Sequence, residues 1–182
     1  VSPTTAEHVA AQLADRIAGI VDGGPCSVGV ESAIISLAGD VPTVLRPGAI
    51  TPEMFKAVLG EVAVKESTSK PGQAMQAPGQ CDTHYRPQVP LYFGEVPAGY
   101  KLPEHTARIA FGNQAGAIPA TVNLSATGDM TEATARLYAY MHDLDTPNYD
   151  LILVDPIPNK GIGIALNDRL KRASIKTLPL TD

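Results

Sequence analysis

A chain of 182 residues that is 44% hydrophobic and 18% charged has ample material for a packed core and lacks the low-hydropathy, high-charge signature of disorder. Its 14 basic and 19 acidic side chains leave a formal charge of −5, which excludes nucleic-acid binding by bulk electrostatics. Aromatic residues at 5%, with no tryptophan, argue against a base-stacking platform.

At ~150 residues per domain the length sets one domain or two small ones. Cys26 and Cys81 are too few for a disulfide framework, so a reduced, cytoplasmic setting is expected. No apolar run approaches the ~18–20 residues of a membrane span. The opening Val1-Ser2-Pro3-Thr4 has neither the basic nor the apolar region of a signal peptide.

Pro3, with Thr4 and Thr5 as caps, predicts a first helix carrying Val9, Leu13 and Ile17. Ile20-Val21-Asp22 reads as a small strand before the Gly23-Gly24-Pro25 breaker. Residues 27–37 read as a strand through Val28, Val30, Ile34, Ile35 and Leu37, and Thr43-Val44-Leu45 as another. Thr51 then caps a helix with Pro52 at its first position; Met54, Phe55, Val58 and Leu59 form its apolar face and Gly60 stops it. Residues 61–65 follow as a short strand.

Between Glu66 and Pro90 the chain is rich in proline, glycine and small polar residues. So long a stretch without periodicity reads as a linker or functional loop and marks a domain boundary. Beyond it, Leu91-Tyr92-Phe93, residues 107–111 and 121–124 read as strands, and Asp129 opens a helix bearing Leu137, Tyr138, Met141 and Leu144. Leu151-Ile152-Leu153-Val154 has the continuous apolar character of a strand buried on both faces. A last helix runs from about Gly163 to Ala173. This alternation predicts a parallel sheet covered by helices.

Several motifs have bland explanations. Gly161-Ile162-Gly163 lacks the third glycine of a dinucleotide loop and reads as a helix start. Ser67-Thr68-Ser69-Lys70 matches Ser-x-x-Lys by chance, without companion motifs. His8, His84, His105 and His142 have no ligand-type partner at helical spacing, so no metal site is expected. The basic run Lys160, Arg169, Lys171, Arg172 and Lys176 reads as a solvated helix face. Less generic are three clusters and part of the linker. Ser2-Pro3-Thr4 sits at a helix N-terminus, where anions are favoured. Gly29 in Val28-Gly29-Val30-Glu31-Ser32 allows close approach of a ligand. Leu45-Arg46-Pro47-Gly48 projects a guanidinium suited to phosphate. The fourth feature is Ala77-Pro78-Gly79 with His84-Tyr85-Arg86-Pro87.

In this order, with Asp22-Gly23-Gly24, Asn123-Leu124-Ser125 and Asn167-Asp168-Arg169-Leu170, the clusters resemble the long, two-domain form of L-threonylcarbamoyladenylate synthase, the YrdC-like family of tRNA-modification enzymes. The resemblance implies an α/β chain: residues 1–64 as the C-terminal portion of a YrdC-like catalytic domain, 65–90 as a linker or lid, and 91–182 as a small Rossmann-like parallel α/β domain. It implies a nucleotidyltransferase reaction in which L-threonine, bicarbonate and ATP give threonylcarbamoyl-AMP and pyrophosphate, for transfer to tRNA by other proteins. Ser32 is then similar to a threonine contact, Ser2 and Arg46 to ATP contacts, and Tyr85 to the linker aromatic that closes over the nucleotide.

ATP enters as substrate with Mg2+, no tightly bound cofactor is expected, and neither a membrane nor direct tRNA contact is implied. Contacts with other tRNA-modification proteins are. The family's Lys-x-Arg and Ser-x-Asn elements are not in this sequence, and Ser32-Ala33 stands where Ser-Thr is usual. No catalytic group is therefore singled out, and the chain is expected to be inactive alone. The competing readings are a non-catalytic, partner-binding or regulatory fragment and an RNA-binding adaptor.

Overall fold

The computed structural model describes residues 1–65, 76–79, 84–113 and 115–179. The Ser-x-x-Lys match at 67–70, Cys81 and the rest of 66–75 and 80–83 lie outside the described residues.

The chain is mixed α/β with two sheets. Its first part comprises α1 (Ala6–Leu13), a 3-10 turn (Ala14–Arg16), β1 (Ile34–Ser36), β2 (Thr43–Arg46), α2 (Pro52–Leu59) and β3 (Ala63–Val64). β1 lies antiparallel to β2, and β2 parallel to β3. Capping chemistry sets the helix starts, with Pro3 lying before the first helix and not in its first turn. Thr5 caps α1 and Thr51 caps α2. Gly60 ends α2 with a positive φ of 79° and an N–H donated to the Lys56 carbonyl.

Three expectations fail here. The first helix stops before Ile17, and Ile20-Val21-Asp22 forms no strand: Val21 is 99% exposed and pairs with no strand among the described residues. The strand expected over 27–37 shrinks to β1. Gly29 has φ 78°, outside strand geometry. A Cβ there would strike the carbonyl oxygen of Thr134, so its close approach serves helix packing.

The second part comprises β4 (Leu91–Phe93), β5 (Thr106–Ala110), β6 (Val122–Asn123), α3 (Met130–Leu144), β7 (Leu151–Val154) and α4 (Gly163–Ala173). These strands pair in parallel in the order β4-β7-β5-β6. β7 is central and buried along its whole length, as its unbroken apolar run predicts. Asp129 starts α3 by accepting from the backbone N–H groups of Thr131 and Glu132 at 2.7 and 2.9 Å. Leu137, Tyr138 and Met141 of α3 and Leu166 and Leu170 of α4 pack with Leu91, Ile109 and Ile152 of the sheet. Each large apolar side chain fully buried this way contributes roughly 1.5–3 kcal/mol.

The segment read as a linker enters this core through Tyr85 and Val89. The first part is packed differently. Among the described residues, every exposed large apolar side chain lies between Leu13 and Val64, including Met54, Val58 and Leu59 on the apolar face of α2. Among the described residues no helix is long and apolar enough to cross a membrane.

Candidate functional site

Where the two parts meet, charged groups replace apolar packing. Arg169 of α4 is 1% exposed and spreads its guanidinium over three partners. Nε donates to Glu31 Oε2 at 2.9 Å, Nη1 to Asp168 Oδ2 at 2.7 Å and Nη2 to the Pro47 carbonyl at 3.0 Å. Its Cζ lies 5.3 Å from the centre of the Tyr85 ring. Arg172 completes the cluster by donating to the other oxygen of Asp168 at 3.2 Å. Burial opposes the charge on Arg169, but Tyr85, Tyr138 and Glu31 around it raise its pKa above the ordinary arginine value.

Glu31 is the hub on the other side. Burial pushes its carboxyl upward, yet hydrogen bonds from Ser2 and Arg169 outweigh that and hold its pKa below the usual value. The Ser2 hydroxyl donates to Oε1 at 2.5 Å, and the Tyr138 hydroxyl to Oε2 at 3.3 Å. Burial, and next the Glu31 charge, raise the Tyr138 phenol and keep it protonated.

Ser32, Arg46 and Tyr85 come together beside this hub. Arg46, the last residue of β2, donates through Nε to the Ser32 carbonyl at 3.1 Å, through Nη2 to Ser32 Oγ at 3.5 Å and through Nη1 to the Pro78 carbonyl at 3.3 Å. All three acceptors are uncharged, so within the described residues no carboxylate neutralises this guanidinium. Tyr85 reaches the same place. A Cβ added at Gly79 would meet the Tyr85 hydroxyl and lie 3.4 Å from Arg46 Cδ. The Tyr85 ring stacks on Tyr138 with centroids 5.8 Å apart, and its buried hydroxyl has no hydrogen-bond partner among the described residues. Burial raises its pKa. A positive guanidinium and a buried, unpaired phenol side by side form a site able to donate to an anionic or strongly polar group.

Ser2 stands apart from that trio, across Glu31. Together with Glu31, Tyr138 and the loop 26–30 it lines a cavity of about 390 Å³. Two histidines fasten its segment to α3. His142 Nε2 lies 3.0 Å from the Ser2 carbonyl, and its ring stacks on His8 at 3.8 Å. The Thr4 N–H donates to His8 Nδ1 at 3.2 Å.

Sequence reasoning missed Arg169 and Arg172 by assigning them to a solvated face. Both are buried against Asp168. The signal was present: Leu166, Arg169, Leu170 and Ala173 recur at three- and four-residue steps, which puts Arg169 on the apolar side of its helix.

A family model described as the threonylcarbamoyl-AMP synthase C-terminal domain matches residues 50–174. The chain belongs to this family. A second model, described as telomere recombination, matches residues 1–48. Threonylcarbamoyl-AMP synthase of Bacillus subtilis is 34% identical over 95% of this chain and 53% of its own length, and that of Pyrococcus abyssi 33% identical over 95% and 54%. The crystal structure of P. abyssi Sua5 complexed with L-threonine superposes with a TM-score of 0.80 at 30% identity, covering 95% of this chain and 54% of that one. Members of the synthase family thus share this fold, and the chain spans about half the length of the curated relatives it matches.

Proposed function

We propose that this chain carries one side of a threonylcarbamoyl-AMP synthase site. The threonine amine, having taken up bicarbonate-derived carbon dioxide, becomes a carbamate. Its oxygen attacks the α-phosphorus of ATP as the bond to pyrophosphate breaks, leaving threonylcarbamoyl-AMP. Ser32 contacts L-threonine, Arg46 and Ser2 contact ATP, and Tyr85 closes over the nucleotide. Mg2+ arrives with ATP as part of the substrate. The product would be passed to proteins that complete the tRNA modification.

The observation that carries this reading is the meeting of Ser32, the Arg46 guanidinium and the Tyr85 hydroxyl, the last two with no carboxylate and no hydrogen-bond partner, respectively, among the described residues. A developing negative charge on transferring phosphoryl oxygens needs such fixed donors. A phenol borne on the segment between the two sheets can shield a carbamate that water would otherwise break down.

Residues 1–64 act in this reading as a partial catalytic domain, 65–90 as a lid and 91–182 as a supporting domain, with further polypeptide completing the cleft. Two facts support that division of labour: the half-length match to the relatives, and the confinement of exposed large apolar side chains to the stretch from Leu13 to Val64 among the described residues. The test is mass-spectrometric detection of threonylcarbamoyl-AMP after incubating L-threonine, bicarbonate and MgATP with this chain joined to the half that its relatives possess. Product is expected, and a Ser32→Ala variant should need more threonine to form it. Product formation at unchanged threonine dependence in that variant contradicts the assignment.

A further inference from the structure

We propose that Arg169 is a positioning residue of this site, through which α4 of the supporting domain sets the geometry of the substrate contacts; the inference rests on the reading above. The two chain segments that carry those contacts already meet through Arg46 and Ser32, and Arg169 adds a second tie that comes from α4. Glu31 immediately precedes Ser32, and Pro47 immediately follows Arg46. One planar guanidinium holds both, with Nε on the Glu31 carboxylate and Nη2 on the Pro47 carbonyl, while its face supports the Tyr85 ring. Three elements of the site are thereby referenced to a single rigid group.

That group is itself fixed. Its third edge rests on Asp168 at 2.7 Å, and Arg172 binds the other oxygen of the same carboxylate. The side chain emerges from a helix face otherwise built of Leu166, Leu170 and Ala173, all buried. An apolar residue would fill that face without desolvating a charge. The arginine is explained by its directional contacts instead. Lysine offers a point charge and cannot address three acceptors in one plane. Arg169 touches neither the cavity beside Ser2 nor the acceptors of Arg46, so its influence passes through Glu31, Pro47 and Tyr85.

The experiment has two arms, each with Arg169→Met and Arg169→Lys. In the first, amide hydrogen exchange of this chain is read by mass spectrometry. Segments 28–33, 44–49 and 84–90 are expected to exchange several-fold faster in Arg169→Met, with α4 itself unchanged. Arg169→Lys, which keeps the charge and helix propensity, gives the same pattern if Arg169→Met fails to fold. Faster exchange confined to α4, or none, overturns the proposal.

In the second arm, threonine- and bicarbonate-dependent pyrophosphate release is measured for the chain joined to the half that its relatives possess. Misplacing both substrate contacts is expected to raise KM for L-threonine and for ATP on the order of tenfold, with a smaller change in kcat. Glu31→Gln and Arg169→Met combined should raise KM by less than the product of their separate effects, because the two residues share one ion pair. Unchanged KM values overturn the positioning role. An inactive wild type refutes the functional reading alone, and the exchange arm then decides whether Arg169 couples the three segments.

Discussion

Tyr85 holds a left-handed backbone, φ 69°, that bulky side chains seldom adopt, and buries a hydroxyl without a partner among the described residues. A conformation of this kind costs roughly 1–3 kcal/mol, and an unsatisfied buried hydroxyl adds a similar penalty. Both tend to persist where a function requires them. Tyr85→Phe is therefore expected to leave the melting temperature of the chain equal or slightly higher, while lowering product formation by the completed enzyme at least about tenfold. A variant that is markedly less stable would show the hydroxyl to be a structural group after all. The family resemblance pointed to Tyr85 as the linker aromatic, but the sequence could not show the surroundings of its hydroxyl, which depend on Gly79 and Arg46 arriving from other segments.

Titration belongs to the same scale. Burial lowers His142, with the Ser2 carbonyl opposing and the stacked His8 adding to the effect; burial likewise lowers His84. The folded chain thus prefers both rings neutral, so the unfolded chain takes up protons first. Stability from these rings is full above the ordinary histidine value of 6.5 and declines as pH falls below it. Glu31 has a depressed folded pKa, so its contribution is full above 4.5 and is lost as pH falls through its folded value. Melting temperature followed from neutral pH downward should fall in two stages. His142→Gln should flatten the upper one, and an undiminished upper stage in that variant would contradict the stacked-ring account.

Among the elements, legibility followed the source of each element's order. α2 and α4 match their expected limits because a Thr-Pro start with a glycine stop, and a four-residue apolar recurrence, are local signals. β7 matches because its apolar run needs no knowledge of its neighbours. The stretch 27–37 was misread because Gly29 turns the chain to meet α3, a contact set by residues more than a hundred positions away. Arg169 was misread because a charge was taken as evidence of solvent, although its helical position lay among leucines. Packing separates the two helical faces energetically. Leu137 of α3 is fully buried, so Leu137→Ala should cost about 2–5 kcal/mol in urea unfolding. Val58 of α2 is 84% exposed, so Val58→Ala should cost less than about 0.5 kcal/mol in this chain. Equal losses would mean that α2 has a partner surface here.

For the molecule as a whole, the parallel sheet with α3 and α4 forms a filled core, whereas the mixed sheet with α1 and α2 leaves much of its apolar surface uncovered among the described residues. The polar seam between them carries Glu31, Arg46, Tyr85 and Arg169, and it is there that the candidate site lies. Composition and charge could argue against a base-stacking platform, and ordered motifs could suggest a family. Neither could reveal that α4 reaches Glu31 and Pro47 with a buried arginine.

The most direct measurement of the account is pyrophosphate release from ATP, dependent on L-threonine and bicarbonate, by this chain alone, by the chain joined to the half its relatives possess, and by the joined form carrying Arg46→Ala. The account predicts no turnover alone, turnover when joined, and a loss on the order of a hundredfold with Arg46→Ala. Robust turnover by the 182 residues alone, or undiminished turnover without the Arg46 guanidinium, would contradict it.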